Sequence, residues 1–405
     1  MRVLSAPYLM LGRPEEPEGA LPVLKGGALA LDGEVVVAVG PKAEIEARHG
    51  KAEALEAVLL PALVNAHTHL ELSHLRGRIS GGEGIALFIE LLVAARAKDP
   101  GPGRALEEAI LELEEAGVAA VGEVTNTLAA LPELGRAGVL GSLYHEVYGF
   151  SSDRIESALA AAADRRAALG RPAPGLRIAP SPHAVYSTHP QVVASLLRAG
   201  PASIHLAEDP DERLFCSRME GPLSSLARVL GAVGRRPLGR SPVAAVGPAL
   251  GPRSLVVHAV DLDDDDRAIL ANSGATVALC PRSNLHIVGR LPDLPRLLSS
   301  GIPLAVGTDS LASSPSLSPL AELSVLARAF PDIAPARLLP LAWNGDCVGA
   351  PAIGRLEPGA SPGVLAAPLA GARPDDPAAW LISVFGAAER PFTWIARQRA
   401  AGVAP

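Results

Sequence analysis

His67 and His69 stand two residues apart at the end of the apolar run LLPALVNA. Residues i and i+2 of a strand face the same side, so two imidazoles placed this way can bind one metal ion. An HxH pair alone is weak evidence, because such pairs also occur in ordinary loops. Three further residues close apolar runs in the same manner: His205 in SIHLAED, His258 in SLVVHAVDL and Asp309 in PLAVGTDS. Glu208 follows His205 by three positions. Singly, each has a plain role as a core histidine, a turn residue or a helix-capping Asp. Together, at the ends of successive apolar runs, they suggest one site. Three of these His with the Asp would form a nitrogen–oxygen donor set that suits Zn2+ or Fe2+ better than Ca2+ or Mg2+. Water on such an ion falls from a pKa of roughly 16 to about 7, which makes a nucleophile at neutral pH.

These residues need a scaffold that brings distant strand ends together. From Leu59 onward, short apolar runs alternate with amphipathic stretches. Strands are expected at LLPALVNAH, VAAVGEVTN, VLGSLYHEVYG, LRIAPSPHA, ASIHLAED, SLVVHAV, TVALCPRSN and LAVGTDS. Segments such as RALEEAILELEEAG and SDRIESALAAAADRRAALG carry helical spacing and Gly stops. Eight strands alternating with helices predict an α/β fold, a (β/α)8 TIM-like barrel over residues 59–350, with its active site at the C-terminal strand ends. Residues 1–58 read instead as short strands and turns, with Asp32-Gly33 at a hairpin. Residues 351–405, including GRLEPGASPGVLAAPL and ERPFTWIARQRA, return to that pattern. Neither end can bury a core alone, so the two are expected to form one small β-sandwich domain. PVAAVGPALGP reads as a loop.

Composition narrows the function. The chain has 405 residues, 48% hydrophobic and 20% charged, which is ample for a large core and too apolar for disorder. Its formal charge is −7 with no basic stripe, which argues against nucleic acid as a partner. Cys216, Cys280 and Cys347 are far apart and form no CxxC, so neither a disulfide framework nor a thiolate zinc site is expected. No apolar run reaches the ~20 residues of a membrane span. The reading is a soluble cytoplasmic protein with a small-molecule substrate and no membrane partner; a homodimer stays open.

At this point the chain resembles the amidohydrolase superfamily over nearly its whole length. The pieces that carry the likeness are NAHTHLELSHLRG, SPHAVYSTHP, SIHLAED, SLVVHAV, CPRSN and GTDSLASS, in that order. Within the superfamily they are most similar to the mononuclear deaminase and chlorohydrolase branch. The resemblance implies a barrel with an appended β-sandwich and one divalent metal ion, Zn2+ before Fe2+. It implies His67, His69, His205 and Asp309 as metal ligands, and Glu208 as proton shuttle. It implies His258 as the group that polarises the attacking water or the developing oxyanion, and His183 as a lining of the substrate pocket. Some relatives hold two metals on a carboxylated lysine at the fourth strand. The only lysines here are Lys25, Lys42, Lys51 and Lys98, so that form is excluded. A bridging Glu146 is not. Two departures stand out: PGASPGVLAA lacks the Asp usual in the sandwich, and DPDERLFCSRMEGPL replaces a Gly-rich segment.

The resemblance implies hydrolysis of a carbon–nitrogen bond, with ammonia released from an aminated purine nucleoside. HLELS, VGEVTNT and EVYGF are similar to aminodeoxyfutalosine deaminases of menaquinone biosynthesis. Alternatives are S-adenosylhomocysteine, methylthioadenosine, adenosine or guanine deamination, attack on cyclic amides, and C–Cl hydrolysis. A non-catalytic barrel is the alternative of another class. Glu71 could bind ribose hydroxyls or a ring nitrogen, or could simply support its neighbours. Among decoys, His69-Leu70-Glu71 lacks the later PCxxC of cytidine deaminases. The run Asp261–Asp266 lacks an EF-hand's Gly and Glu and reads as a solvated helix start. His49, His74, His145, His189 and His286 are read as surface, structural or rim residues, and Ser310, Ser313 and Ser314 as turn or pocket edge.

Overall fold

The computed structural model describes residues 1–14, 19–99, 101–169, 172–232 and 236–397. The helix stop expected at Gly170 and the last three residues of ERPFTWIARQRA lie outside them. Strands from both chain ends share one seven-stranded mixed sheet. Its members are β1 (Arg2–Met10), β2 (Val23–Asp32), β3 (Val35–Pro41), β4 (Glu53–Ala54), β5 (Ala57–Pro61), β14 (Val364–Pro368) and β15 (Thr393–Ala396), in the order β15-β14-β5-β1-β2-β3 with β4 beside β1. β2 and β3 form the hairpin expected at Asp32-Gly33, with Asp32 opposite Val35 and Gly33 at φ 59°.

The remaining strands are all parallel. One sheet holds β6 (Leu63–Thr68), β7 (Val118–Thr125), β8 (Leu140–Val147) and β9 (Leu176–Pro182). The other holds β10 (Ala202–Leu206), β11 (Ser254–His258), β12 (Thr276–Leu279) and β13 (Leu304–Val306). Isolated parallel bridges join the sheets on both sides, Thr68 to Asp309 and Ala184 to His205. Asn65 fastens β6 to the end of β13: its Nδ2 donates to Thr308 Oγ1 at 2.8 Å, and its Oδ1 accepts from Thr308 N at 3.1 Å. These strands are buried on both faces and therefore read as near-continuous apolar runs. One buried cluster takes side chains from seven of the eight, among them Val64, Val124, Tyr144, Ala179, Val257, Ala278 and Ala305.

Helices cover the outer faces. In Arg104–Glu115 the buried positions Leu106, Ala109, Ile110 and Leu113 repeat at helical spacing. That helix also meets the mixed sheet, since Trp394 Nε1 donates to Glu114 O at 2.8 Å and Phe392 N to Glu115 O at 2.9 Å.

Three readings change. LLPALVNAH is two strands: Pro61 has no N–H to continue a ladder, Ala62 N turns to Gly363 O, and Leu63 N begins pairing at Gly117 O. PVAAVGPALGP is not a loop but a short helix, Pro242–Val246, followed by a 3-10 turn, because Ser241 caps it by accepting from Ala244 N. The acidic run does start a helix, Asp264–Ser273, but Asp266 is buried, where it accepts from Arg213 and Ser241. The three cysteines are unbridged. No helix among the described residues is long and apolar enough to cross a membrane.

Candidate metal centre

Five candidate residues expected from the sequence meet at the C-terminal ends of the parallel strands. His67 is the penultimate residue of β6 with His69 just beyond its end, His205 lies in β10, His258 closes β11, and Asp309 follows β13. Asp309 Oδ1 stands 3.6 Å from His67 Nε2 and 3.5 Å from His69 Nε2, and His69 Nε2 is 3.2 Å from His205 Nε2. His67, His69 and Asp309 form one potential chelating group; His67, His205 and His258 form another. Glu208 completes the cluster, with Oε2 3.6 Å from His258 Nε2.

The backbone bends sharply to aim these side chains. Ala207, His258, Ala259 and Asp309 all have positive φ, between 52° and 79°, a costly region for residues other than Gly. At Ala207 the bend turns its carbonyl toward Val260 N and Asp261 N. Glu212 holds the same corner, accepting from Ala207 N at 3.1 Å and Glu208 N at 2.7 Å. At Asp309, both Thr308 N and Asp309 N donate to His67 O at 3.0 Å. Gly307 permits that approach, since a Cβ there would lie 2.7 Å from His67 Cβ.

A divalent ion fits the residues present. His67 is fully buried, and neither ring nitrogen has a hydrogen-bond partner. Two buried polar nitrogens left unmet are costly, and a metal ion on one lone pair would relieve part of that cost. Burial and then the neighbouring His67 depress the pKa of His69; burial, His183 and His67 bring His205 down to about 4. These rings are therefore neutral, with lone pairs available. Burial pushes the Asp309 carboxyl upward, but the imidazoles of His67, His69 and His258 outweigh it and hold it well below its usual range. Asp309 Oδ2 accepts from Ser283 Oγ at 2.5 Å and Ser313 Oγ at 3.1 Å, which fixes the carboxylate. Three imidazoles and one carboxylate suit Zn2+ or Fe2+.

The proton-carrying groups differ in environment. Burial, then Asp309 and Glu212, raise the Glu208 pKa well above its ordinary value, and Glu208 Oε1 has no partner. Burial lowers the pKa of His258. Asn284 Nδ2 faces His258 Nδ1 at 3.0 Å, so Nδ1 accepts and the ring proton sits on Nε2, toward Glu208.

A cavity of about 200 Å³ adjoins the cluster, with His69, Glu71, Glu146 and His183 at its lining and Leu72, Ile89 and Leu92 on its apolar wall. His183 Nδ1 pairs with Ser187 Oγ at 2.6 Å, and Ser187 itself donates to Ala184 O, so His183 Nε2 remains an acceptor. Glu71 lines the cavity, but its oxygens are taken. They accept from Thr125 Oγ1, from Asn126 N at 3.0 Å, and from Thr127 N and Oγ1 at 2.9 and 2.5 Å. Its role in this structure is to hold the loop after β7. Glu146 Oε2 accepts from Asn126 Nδ2 at 3.0 Å, while Oε1 is buried, unpartnered and 3.6 Å from His205 Nδ1.

Of the decoys, His74 and His286 bond to backbone carbonyls, His145 is buried and bonded to Asn126 O, and His189 caps a helix. Ser314 bonds to Glu322. Sequence reasoning passed over Glu123, whose oxygens both accept from Leu70 N at 3.1 Å and so brace the residue after His69. An acid inside the apolar strand VAAVGEVT was the signal available. Glu212, four residues after Glu208, had none beyond that spacing.

Comparison with known proteins places this arrangement. The sequence profile of the amidohydrolase family matches residues 58–362. A 5-methylthioadenosine/S-adenosylhomocysteine deaminase of Nitratidesulfovibrio vulgaris is 31% identical over 360 residues, covering 83% of this chain and 78% of that protein. An aminodeoxyfutalosine deaminase of Deinococcus radiodurans is 29% identical over 340 residues, covering 79% and 80%. Among solved structures, the Helicobacter pylori aminofutalosine deaminase in complex with methylthio-coformycin superposes with a TM-score of 0.83, at 21% identity and 97% coverage of both chains.

Proposed function

This chain belongs to the amidohydrolase family, hydrolases of carbon–nitrogen bonds, and on that premise we propose that it is a metal-dependent deaminase of an aminated purine nucleoside. The observation that carries the reading is the convergence of His67, His69, His205 and Asp309 beside a buried Glu208 whose pKa burial raises. The substrate of first choice is 6-amino-6-deoxyfutalosine, which would place the protein in menaquinone biosynthesis. HLELS and EVYGF support that choice, as does the Deinococcus relative. S-adenosylhomocysteine or methylthioadenosine is the second reading, supported by the 31% identical relative. The eight parallel strands are taken as a (β/α)8 barrel over residues 59–350, and both chain ends as its appended small domain.

His67, His69, His205 and Asp309 would hold the ion. When bound, it supplies a Lewis acid that makes water a nucleophile at neutral pH. Asp309, ionised and fixed by Ser283 and Ser313, accepts the proton of the attacking water. Glu208 keeps its proton through burial and gives it to the ring nitrogen next to the carbon under attack. His258, with its proton on Nε2, donates to the oxygen that becomes the carbonyl. A C–O bond forms, the exocyclic C–N bond breaks, the proton held by Asp309 leaves with ammonia, and the proton left on the oxygen returns to Glu208 as the carbonyl forms. Separate environments thus hold one carboxylate charged and the other neutral. The neutral His183 offers Nε2 as an acceptor to the base or sugar.

The test is ammonia release from 6-amino-6-deoxyfutalosine, S-adenosylhomocysteine, methylthioadenosine, adenosine and guanine, each at matched concentration. The first substrate should give the highest kcat/KM. Ammonia from none of them would refute the deaminase reading, and preference for a thioether nucleoside would move the substrate to the second reading.

A further inference from the structure

We propose that a second cavity, at the opposite ends of the parallel strands from the metal cluster, binds a phosphate monoester carried on a small apolar or aromatic body. The cavity measures about 370 Å³, larger than the one beside the cluster. Leu304, the first residue of β13, lines it, whereas Asp309 lies beyond the other end of that strand. The two sites therefore occupy opposite faces, and the second is independent of the deaminase reading.

Its charge is one-sided. Arg13, Arg337 and Arg355 line it, and among the described residues no Asp or Glu does. The backbone sets Arg13 and Arg355 side by side from opposite ends of the chain. Gly12 pairs with Arg355 in an isolated antiparallel bridge, and Arg13 N donates to Gly354 O at 3.0 Å. Gly12 permits that approach, with φ 105° and a Cβ position only 2.0 Å from Gly354 O. Two guanidiniums held as neighbours repel each other, and the acids that meet them stand outside the lining: Asp346 for Arg13, and the exposed Glu357 at 3.3 Å for Arg355. Arg355 Nη2 donates to Pro14 O at 3.2 Å, but its Nε is buried and has no partner. The exposed Arg337 has no ion pair among the described residues. A buried N–H left unmet is costly, and a guanidinium fork matches phosphate oxygens.

The body of the ligand is read from the remaining wall. Leu298, Ile302, Pro340 and Leu341 present apolar surface that a bare inorganic anion would leave against water. The volume falls in the roughly 300–1,000 Å³ of small-molecule sites. Asn344 holds the cationic side ready: its Oδ1 accepts from Arg13 Nη1 at 2.7 Å, and its Nδ2 donates to Leu304 O at 3.0 Å. An arginine fixed before the ligand arrives costs less to order on binding. Glu15, Glu16 and Glu18 fall between the lining residues Pro14 and Gly19 in the sequence and lie outside the described residues. The chain's own acids are therefore the competing occupant.

The experiment titrates the metal-loaded protein with phenyl phosphate, inorganic phosphate and phenol in a calorimeter. Phenyl phosphate should bind more tightly than inorganic phosphate, phenol should give no measurable heat, and added salt should weaken both anions. Arg355→Lys keeps the charge but loses the fork, and should weaken phenyl phosphate about 10- to 100-fold, the loss of a hydrogen bond to a charged group. Arg337→Gln, at an exposed position that leaves the core untouched, should weaken it about 5-fold. Both variants should keep wild-type metal content. Equal affinity for inorganic and phenyl phosphate would overturn the apolar body. Binding that both variants retain, or that vanishes when the metal is stripped, would put the anion at the metal cluster and overturn the site. Binding seen only after Glu15, Glu16 and Glu18 are all replaced by Gln would show the chain's own acids as occupant and overturn it too. So would no binding to any of these proteins. None of these outcomes bears on the deaminase reading.

Discussion

Replacing Glu208 by Gln should abolish most turnover while leaving the metal in place. Glu208 is 2% exposed, its Oε1 has no partner, and its Oε2 lies 3.6 Å from His258 Nε2. Gln has nearly the same volume, so the packing around it persists. The bonds from Ala207 N and Glu208 N to Glu212 involve backbone and also persist. Burial raises the pKa of the carboxyl and so favours its neutral form, and a neutral amide adds little charge cost. What disappears is a transferable proton. General acid–base catalysis by one placed group contributes about 10²- to 10⁴-fold. The barrier should therefore rise by about 3 to 5 kcal/mol, while folding stability changes by less than about 1 kcal/mol. The assay is ammonia release per bound metal, with metal content measured on the same sample. Turnover within a few-fold of wild type at full metal occupancy would refute the role given to Glu208. Loss of the metal would show that Glu208 acts on the ion rather than on the substrate.

Stripping the metal with a chelator should abolish ammonia release and lower the unfolding temperature. An ion bound only by the folded state, at about 1,000 times its dissociation constant, contributes about 4 kcal/mol. Adding back Zn2+ should restore both, and unchanged activity after complete removal would contradict the site. Gly307→Ala should cost about 1 to 3 kcal/mol of stability and lower metal content, because its Cβ would press on His67 at 2.7 Å; a variant with full stability and full metal would contradict the packing account. Burial pushes the Glu322 carboxyl up to about 8, against the bonds it accepts from Arg282 N and Ser314. A raised acid favours the folded state fully below the unfolded pKa, and that advantage is lost as pH rises through the folded value. Glu322→Gln should therefore gain on wild type between about pH 4.5 and pH 8, by up to about 1.4 kcal/mol per unit. Parallel melting curves across that range would refute it.

The clustering of the candidate site was legible where one residue type recurs at strand ends. Histidines and an Asp ending successive apolar runs pointed together to one shared site, and in the structure His67, His69, His205 and Asp309 lie together. The parallel strands were legible because burial on both faces makes them continuous apolar text. The break at Pro61–Ala62 was hidden, because both halves of LLPALVNAH are equally apolar and only their partners differ. The helix after Ser241 was hidden by its two prolines and by its length of five residues, too short to show a period. The work of Glu71 was ambiguous for a different reason. A carboxylate after the His pair suggests a ligand contact, and nothing in the text reveals that the backbone of Asn126 and Thr127 claims it.

The shared end sheet also shapes how the chain must be made. β5 has β14 as its neighbour, yet Pro61 and Val364, opposite one another, are about 300 residues apart in the chain. At roughly 5–20 residues per second of synthesis, β5 waits about 15 to 60 s for that partner. During that interval Ala57–Pro61, wholly buried in the finished protein, presents an open apolar edge inside the cell. Nascent chains stalled before residue 364 should accordingly clump, and overproduction should tax chaperones most at this seam.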